Sequence, residues 1–169
     1  MNTPNKLTIL RIVMIPVFIA ILMNGHYFLS AAVFIVASLT DALDGHLARK
    51  HNLITNFGKI MDPLADKLLV TAALLCLVEL GDLAGWMAFL ILAREFTITG
   101  LRAVAASDGI VIAAGKSGKW KTTFQMLAII AYLFQNQPFA AWGIPAAPIL
   151  MWIAVVLTVY SGGEYIYQN

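Results

Sequence analysis

The chain has 169 residues, of which 60% are hydrophobic and 12% are charged. A soluble domain is about 45–50% apolar and about 25% charged, so this composition leaves too few polar residues to cover a water-soluble fold. Disordered chains are poor in apolar residues and are excluded as well. The formal charge of +2 is too small to indicate a nucleic-acid partner, and the single cysteine excludes an intrachain disulfide. The length predicts a single integral membrane domain over residues 1–169.

Apolar stretches recur along the chain at lengths that suit membrane helices, which need about 20 residues to cross the hydrocarbon core. We predict an all-α integral membrane protein with six transmembrane helices at residues 7–23, 28–48, 61–80, 86–106, 122–134 and 144–165.

The basic residues of the connecting segments predict the orientation of these helices. The segments at 49–60 and 102–121 carry Lys and Arg, whereas those at 24–27 and 135–143 carry neither. The positive-inside rule places the basic segments in the cytoplasm. An even number of spans puts both termini on the same side, as expected for a multi-pass protein of the cell membrane.

Four aspartates lie near the cytoplasmic ends of the second and third predicted helices: Asp41, Asp44, Asp62 and Asp66. A carboxylate at membrane depth costs about 2.5–3.5 kcal/mol, so four together need a compensating charge. The spacings i,i+3 and i,i+4 place each pair on one helix face, and a short connection makes the two helices antiparallel neighbours. We therefore expect a polar metal-binding cleft at the cytoplasmic side. Oxygen ligands without His or Cys suit two divalent cations, Mg²⁺ or Mn²⁺.

Two other features of this region have more than one interpretation. The aspartates could instead pair with bases, Asp66 with Lys67 or Asp44 with Arg49, in a purely structural role. Small residues flank the carboxylates at Gly45, Ala48 and Gly58. They would let a planar base or a pyrophosphate approach the backbone, or they would serve close helix packing. Pro63 suits the first turn of a helix and predicts that the third helix begins near Asp62.

These residues form the pattern Asp41-x2-Asp44-Gly45-x2-Ala48-Arg49-x8-Gly58-x3-Asp62-x3-Asp66. The pattern resembles the signature of the CDP-alcohol phosphotransferase family at every fixed position. The likeness extends to Pro4-Asn5-x-Leu7-Thr8-x2-Arg11, Ala93-Arg94-Glu95 and Gly118-Lys119-Trp120-Lys121-Thr122, and so covers nearly the whole chain.

The resemblance implies a six-helix membrane enzyme, usually a homodimer, that acts among membrane lipids. It would transfer a phosphatidyl group from CDP-diacylglycerol to sn-glycerol 3-phosphate, giving phosphatidylglycerophosphate and CMP. One metal ion would be held by Asp41, Asp44 and Asp62, and the other by Asp41, Asp62 and Asp66. Asp66 would also be the catalytic base that takes the proton of the acceptor hydroxyl.

The resemblance also implies two groups of substrate-binding residues. The CDP donor would be bound by Asn5, Thr8, Gly45, Ala48, Arg49, Thr55 and Gly58. The acceptor phosphate, a small dianion, needs fixed cations, for which the candidates are Lys59, Arg94, Arg102, Lys116, Lys119 and Lys121. Arg94 lies inside a predicted span, where an arginine needs a functional reason. For the lysines, orientation in the membrane and attraction to anionic lipids are an equal alternative.

Two competing functions share the same residues. An enzyme of the same class could use another acceptor, such as inositol phosphate, serine or phosphatidylglycerol, since the aspartates handle the common donor. A divalent-cation transporter lined by the aspartates is a rival from a different class, although the sequence shows no inverted repeat of the kind many transporters carry.

Overall fold

The computed structural model describes the backbone of residues 3–50, 56–107, 109 and 115–168, and the side chains of residues 8–40, 61, 64–107, 109, 115 and 117–167. Throughout this part of the chain the regular structure is helical. The α-helices are α1 (Thr3–Met23), α2 (Tyr27–Lys50), α3 (Asn56–Glu79), α4 (Gly85–Ser107), α5 (Lys116–Leu133) and α6 (Ala146–Gln168), with a 3₁₀ helix at Phe139–Trp142. Each α-helix overlaps one predicted span, which confirms the all-α prediction.

Within the described residues, one helical segment is long and apolar enough throughout to cross a membrane, Ala146–Tyr167. Shorter apolar helical segments occupy Thr8–Met23 and Tyr27–Thr40. These two segments are the parts of α1 and α2 whose side chains the structure describes. Six complete spans therefore stay a prediction.

The beginning of α3 corrects one expectation. The helix begins at Asn56 and not near Asp62, so Pro63 lies inside it. Proline has no N–H, and the helix forgoes one backbone hydrogen bond at that point. An apolar environment tolerates a proline within a helix when neighbouring groups satisfy the freed carbonyl. The preference of proline for the first turn of a helix therefore did not predict where α3 begins.

The chain forms two compact units, Met1–Leu80 and Gly81–Asn169. In the first unit α1 packs against both α2 and α3. The rings of Phe18 and Phe34 lie 5.8 Å apart between α1 and α2. Fully buried alanines, among them Ala31, Ala37 and Ala73, allow these helices to approach closely.

In the second unit α6 packs against α5 and α4. Its buried core includes Ile91 of α4, Ile129 and Leu133 of α5, and Met151 of α6. The indole rings of Trp86 and Trp152 lie 5.4 Å apart and join the N-terminal parts of α4 and α6. The arrangement places the end of α4, the beginning of α5 and the end of α6 at one end of this unit, which carries its described Arg and Lys side chains.

The turn from α5 to α6 lies at the opposite end and depends on Asn136. Gln135 and Asn136 have positive φ angles of 51° and 61°, a conformation in which asparagine is favoured. The Asn136 side-chain amide donates to the carbonyl oxygen of Ile144 at 2.6 Å, and its Oδ1 accepts from the backbone N–H of Ala147 at 2.9 Å. One side chain therefore closes the turn and satisfies a donor at the beginning of α6.

Candidate functional site

A pocket of about 600 Å³ opens at the charged end of the second unit. This volume lies within the range of about 300–1,000 Å³ that is typical of small-molecule sites. The wall is built by α4 and α5 and consists of Arg94, Glu95, Arg102, Gly118, Lys119, Thr122, Thr123, Met126 and Leu127. The pocket is thus polar and charged on one part of its surface and apolar on another.

Cations dominate the charge of the pocket wall. Among the described lining residues, Arg94, Arg102 and Lys119 are accompanied by a single carboxylate, that of Glu95. The Glu95 carboxylate forms an ion pair with the ammonium of Lys121, which lies outside the wall. Since the one acidic group is already neutralised, the pocket presents a net positive field suited to an anion.

Arg94 is one of the cations of the wall. Its side chain is half-buried, and its Nε–H is buried with no hydrogen-bond partner among the described residues. A buried donor without a partner costs about 1–3 kcal/mol, and more when it is charged. An anionic oxygen in the pocket would relieve this cost. The arrangement therefore favours binding of a ligand such as a phosphate.

Arg102 is held by an aromatic side chain of α6. Its Nε donates to the hydroxyl oxygen of Tyr165 at 3.3 Å, and its guanidinium carbon lies 5.3 Å from the centre of the tyrosine ring. A guanidinium on a ring face gains a cation–π attraction in addition to the hydrogen bond. Tyr165 therefore fixes the position of a pocket cation.

The hydroxyls of Thr122 and Thr123 are bound to their own helix. They donate to the carbonyl oxygens of Gly118 at 3.0 Å and of Lys119 at 3.1 Å. A hydroxyl that donates to a carbonyl retains lone pairs and can accept a further hydrogen bond. The two threonines thus offer acceptors beside the cations.

Three of the residues predicted for the acceptor site lie together in this wall, namely Arg94, Arg102 and Lys119. Lys121 is placed differently, because its side chain is fully buried and its ammonium joins α5 to Glu95 of α4. The side chains of Lys59 and Lys116 lie outside the described residues.

The first unit carries the predicted carboxylates on two of its helices. Asp41 and Asp44 belong to α2, and Asp62 and Asp66 belong to α3. The Asp66 side chain is half-buried. Among the described side chains no group of three or more acidic, His or Cys residues forms a metal cluster, and the side chains of Asp41, Asp44 and Asp62 lie outside that set.

Of the predicted donor-binding residues, Thr8 is described and is fully buried in α1. Arg11, one turn further along, is also buried. The remaining predictions concern side chains outside the described residues, namely Asn5, Gly45, Ala48, Arg49, Thr55 and Gly58.

Sequence reasoning missed the residues of α6 that contact the helices of the pocket wall. Tyr165 binds Arg102, and the Ser117 hydroxyl donates to the carboxylate of Glu164. Glu95 follows Arg94 directly in the sequence pattern, yet it forms its ion pair with Lys121. The available signal was Glu164, a carboxylate near the end of the most apolar helix, which needs a polar partner.

Comparison with known proteins identifies the class. The helical, apolar chain with a cationic pocket is consistent with a membrane enzyme that handles an anionic substrate. The family model for CDP-alcohol phosphatidyltransferase matches residues 1–160. The chain belongs to this family and is a transferase.

Curated relatives match over nearly the full chain. A CDP-diacylglycerol–glycerol-3-phosphate 3-phosphatidyltransferase of Bacillus subtilis is 45% identical over 99% of this chain and 95% of its own length. A protein of Haemophilus influenzae with the same name is 39% identical over 98% of this chain and 91% of its own length. A probable phosphatidylglycerophosphate synthase of Mycobacterium tuberculosis is 42% identical over 98% of this chain and 80% of its own length. The resemblance drawn from the sequence pattern is thereby confirmed.

Proposed function

We propose that this protein transfers the phosphatidyl group of CDP-diacylglycerol to sn-glycerol 3-phosphate, releasing CMP and forming phosphatidylglycerophosphate. The observation that carries the proposal is the cationic pocket in which Arg94 holds a buried N–H with no partner in the described part of the chain. The names of the relatives supply the two substrates.

The acceptor binds in this pocket through its phosphate. Arg94 and Arg102 present guanidinium groups, which match phosphate oxygens in a bidentate geometry. Lys119 is exposed at the wall and adds a mobile positive charge. The hydroxyls of Thr122 and Thr123 accept hydrogen bonds from the glycerol hydroxyls. Serine has no phosphate and would offer the arginines only a singly charged carboxylate beside its own ammonium group.

The first unit holds the donor and its metal ions. Four carboxylates on α2 and α3 form an oxygen-only donor set, which suits Mg²⁺ or Mn²⁺. Asp41, Asp44, Asp62 and Asp66 would hold two such ions, which supply charge neutralisation for the pyrophosphate. The nucleotide part is bound by the residues of the sequence pattern, Gly45, Ala48, Arg49 and Gly58, with Asn5, Thr8 and Thr55.

The transfer makes one bond to phosphorus and breaks another. The acceptor hydroxyl oxygen forms a bond to the phosphorus of the phosphatidyl group, while the bond from that phosphorus to the oxygen of CMP breaks. The carboxylate of Asp66 takes the proton of the attacking hydroxyl as general base. The protein thereby positions reactants and stabilises charge, which is the main task in this type of chemistry.

The charge distribution also supports an orientation in the membrane. The end of the second unit that holds the pocket carries its cations, whereas the opposite end exposes Trp142 and Phe139. Basic residues favour the cytoplasmic side, and tryptophan favours the membrane interface. Large apolar side chains such as Phe89 and Val156 are exposed on the helix surfaces, as expected for contact with lipid. We therefore place the charged end in the cytoplasm, in a six-span homodimer that forms one functional domain over residues 1–169.

An acceptor panel tests the function. The purified protein in detergent, with CDP-diacylglycerol and Mg²⁺, should release CMP with glycerol 3-phosphate, and not with serine, inositol phosphate or phosphatidylglycerol. Preference for one of the other acceptors would overturn the assignment. Flux of Mn²⁺ into liposomes without CMP release would instead identify a transporter.

A further inference from the structure

A glycine of α6 lies against the Arg94 side chain of α4. A Cβ added at Gly162 would lie 3.2 Å from the Cγ of Arg94. This distance is shorter than an ordinary van der Waals contact between carbon atoms. The neighbouring Gly163, on the same helix, has no atom within 4 Å of its added Cβ. The close approach is therefore specific to position 162.

A second glycine lies near the other end of the same side chain. A Cβ added at Gly118 of α5 would lie 3.2 Å from the Nη2 of Arg94. The terminal nitrogen can move by small rotations about several bonds. The Cγ is fixed by a single rotation next to the backbone, so displacing it changes the course of the whole side chain. A methyl group added at Gly162 would therefore displace the Arg94 side chain more than one added at Gly118.

The same segment of α6 contacts other parts of the pocket. Glu164 accepts the hydrogen bond of Ser117, beside Gly118 at the beginning of α5, and Tyr165 binds Arg102. The pocket wall itself is built from α4 and α5. This part of α6 therefore lies outside the pocket wall named above, and it affects the pocket through its contacts with α4 and α5.

Arg94 also borders a second cavity of about 230 Å³ between α4 and α6, which includes Thr97, Thr158 and Gly162. The side chain thus stands between a cationic pocket and a mostly apolar groove. A change in the direction of its Cγ alters how far the guanidinium extends into the cationic pocket.

We propose that Gly162 is a positioning residue for the acceptor phosphate: its lack of a Cβ leaves the space that directs Arg94 into the pocket. The inference rests on the proposed function, since it assumes that Arg94 binds the phosphate of glycerol 3-phosphate. The inference assigns a role to α6, a helix that contributes none of the residues named above for the pocket wall.

The test compares two adjacent glycines of one helix. Gly162→Ala should raise the KM for glycerol 3-phosphate by about 3- to 10-fold, the effect expected of a displaced rotamer, with the KM for CDP-diacylglycerol unchanged. Gly163→Ala, which makes the same change in helix propensity, should leave both constants at the wild-type values. Gly118→Ala should give an increase smaller than that of Gly162→Ala and still above that of Gly163→Ala.

A double-mutant cycle separates positioning from general loss of structure. In an Arg94→Ala background, Gly162→Ala should cause no further rise in the acceptor KM, because it acts through the arginine. Equal acceptor KM values for Gly162→Ala and Gly163→Ala, or additive effects with Arg94→Ala, would overturn the inference. A wild-type protein that releases no CMP with glycerol 3-phosphate would overturn the proposed function as well. If Gly162→Ala alone does not fold, Gly162→Ala in the Arg94→Ala background should fold, because the atom that the added methyl group meets has been removed. Failure of that double variant to fold would overturn the inference.

Discussion

The Glu95 carboxylate of α4 and the Lys121 ammonium of α5 form an ion pair in which the lysine side chain is fully buried. The pair joins the two helices that build the wall of the cationic pocket. It also removes the one acidic charge of that wall from competition with an anionic substrate. Its role is thus both structural and electrostatic.

Removing one member of this pair should destabilise the protein. Lys121→Met leaves the partly buried Glu95 carboxylate without its cation, at a cost of about 3 kcal/mol, the lower part of the range for broken buried pairs because Glu95 keeps some solvent contact. The double variant Glu95→Gln/Lys121→Met should recover part of this loss. Thermal unfolding in detergent measures both, with the exposed Glu79→Gln as a control. A double variant less stable than the single one would contradict a paired role.

Arg94→Ala should weaken acceptor binding selectively. A charge-assisted hydrogen bond contributes about 1.5–3 kcal/mol, so the KM for glycerol 3-phosphate should rise roughly 10- to 150-fold. The KM for CDP-diacylglycerol should change by less than about twofold, because the proposed function has the donor bound by residues of the first unit. Arg94→Lys keeps the charge and loses the planar fork, and should give an intermediate value. Equal increases in both constants from steady-state CMP release would place Arg94 elsewhere in the reaction.

Asp66→Asn should abolish the base without removing side-chain volume. Loss of a general base lowers kcat by roughly 10²- to 10⁴-fold, and in the proposed scheme a metal ligand is lost at the same time. Asp41→Ala and Asp62→Ala should be inactive even at high Mg²⁺, since each carboxylate bridges both ions in the proposed scheme. Chelation with EDTA should stop CMP release, and added Mg²⁺ or Mn²⁺ should restore it in the wild type. Turnover that persists in either alanine variant would reject the two-metal scheme.

Asn136→Ala should lower stability and leave catalysis intact. The variant loses two hydrogen bonds, to Ile144 and from Ala147, worth about 1 kcal/mol each. It also places alanine at a φ of 61°. Asn136→Gly accepts this backbone conformation and isolates the loss of the side chain. We expect a lower unfolding midpoint in both, greater for alanine, with unchanged KM values. A change in acceptor KM would show that the turn communicates with the pocket.

Hydropathy was sufficient to predict the helices, because each of the six α-helices overlaps one of the apolar stretches of the sequence. Helix ends were predicted less well. The third helix begins at Asn56, before the proline taken as its start, and the fifth begins at Lys116, within a polar segment. In both cases the helix continues through polar residues, where hydropathy carries no signal.

Arg94 could be predicted because an arginine inside an apolar helix demands a reason. Arg102 and Lys119 could be predicted because the basic segment 102–121 offers cations for a phosphate. The residues that position these cations could not be predicted. Tyr165 contacts Arg102 across 63 positions of sequence, and Gly162 approaches Arg94 across a helix interface. Such pairs depend on how three helices pack, which local patterns do not encode. The roles of Asp41, Asp44 and Asp62 stay predictions.

The second unit is joined at both of its ends, by Trp86 with Trp152 at one and by Arg102 with Tyr165 at the other. The helices behind the acceptor cavity are therefore braced before any ligand arrives. The pocket would have its shape before glycerol phosphate binds, so little of the binding free energy would be lost to ordering the protein.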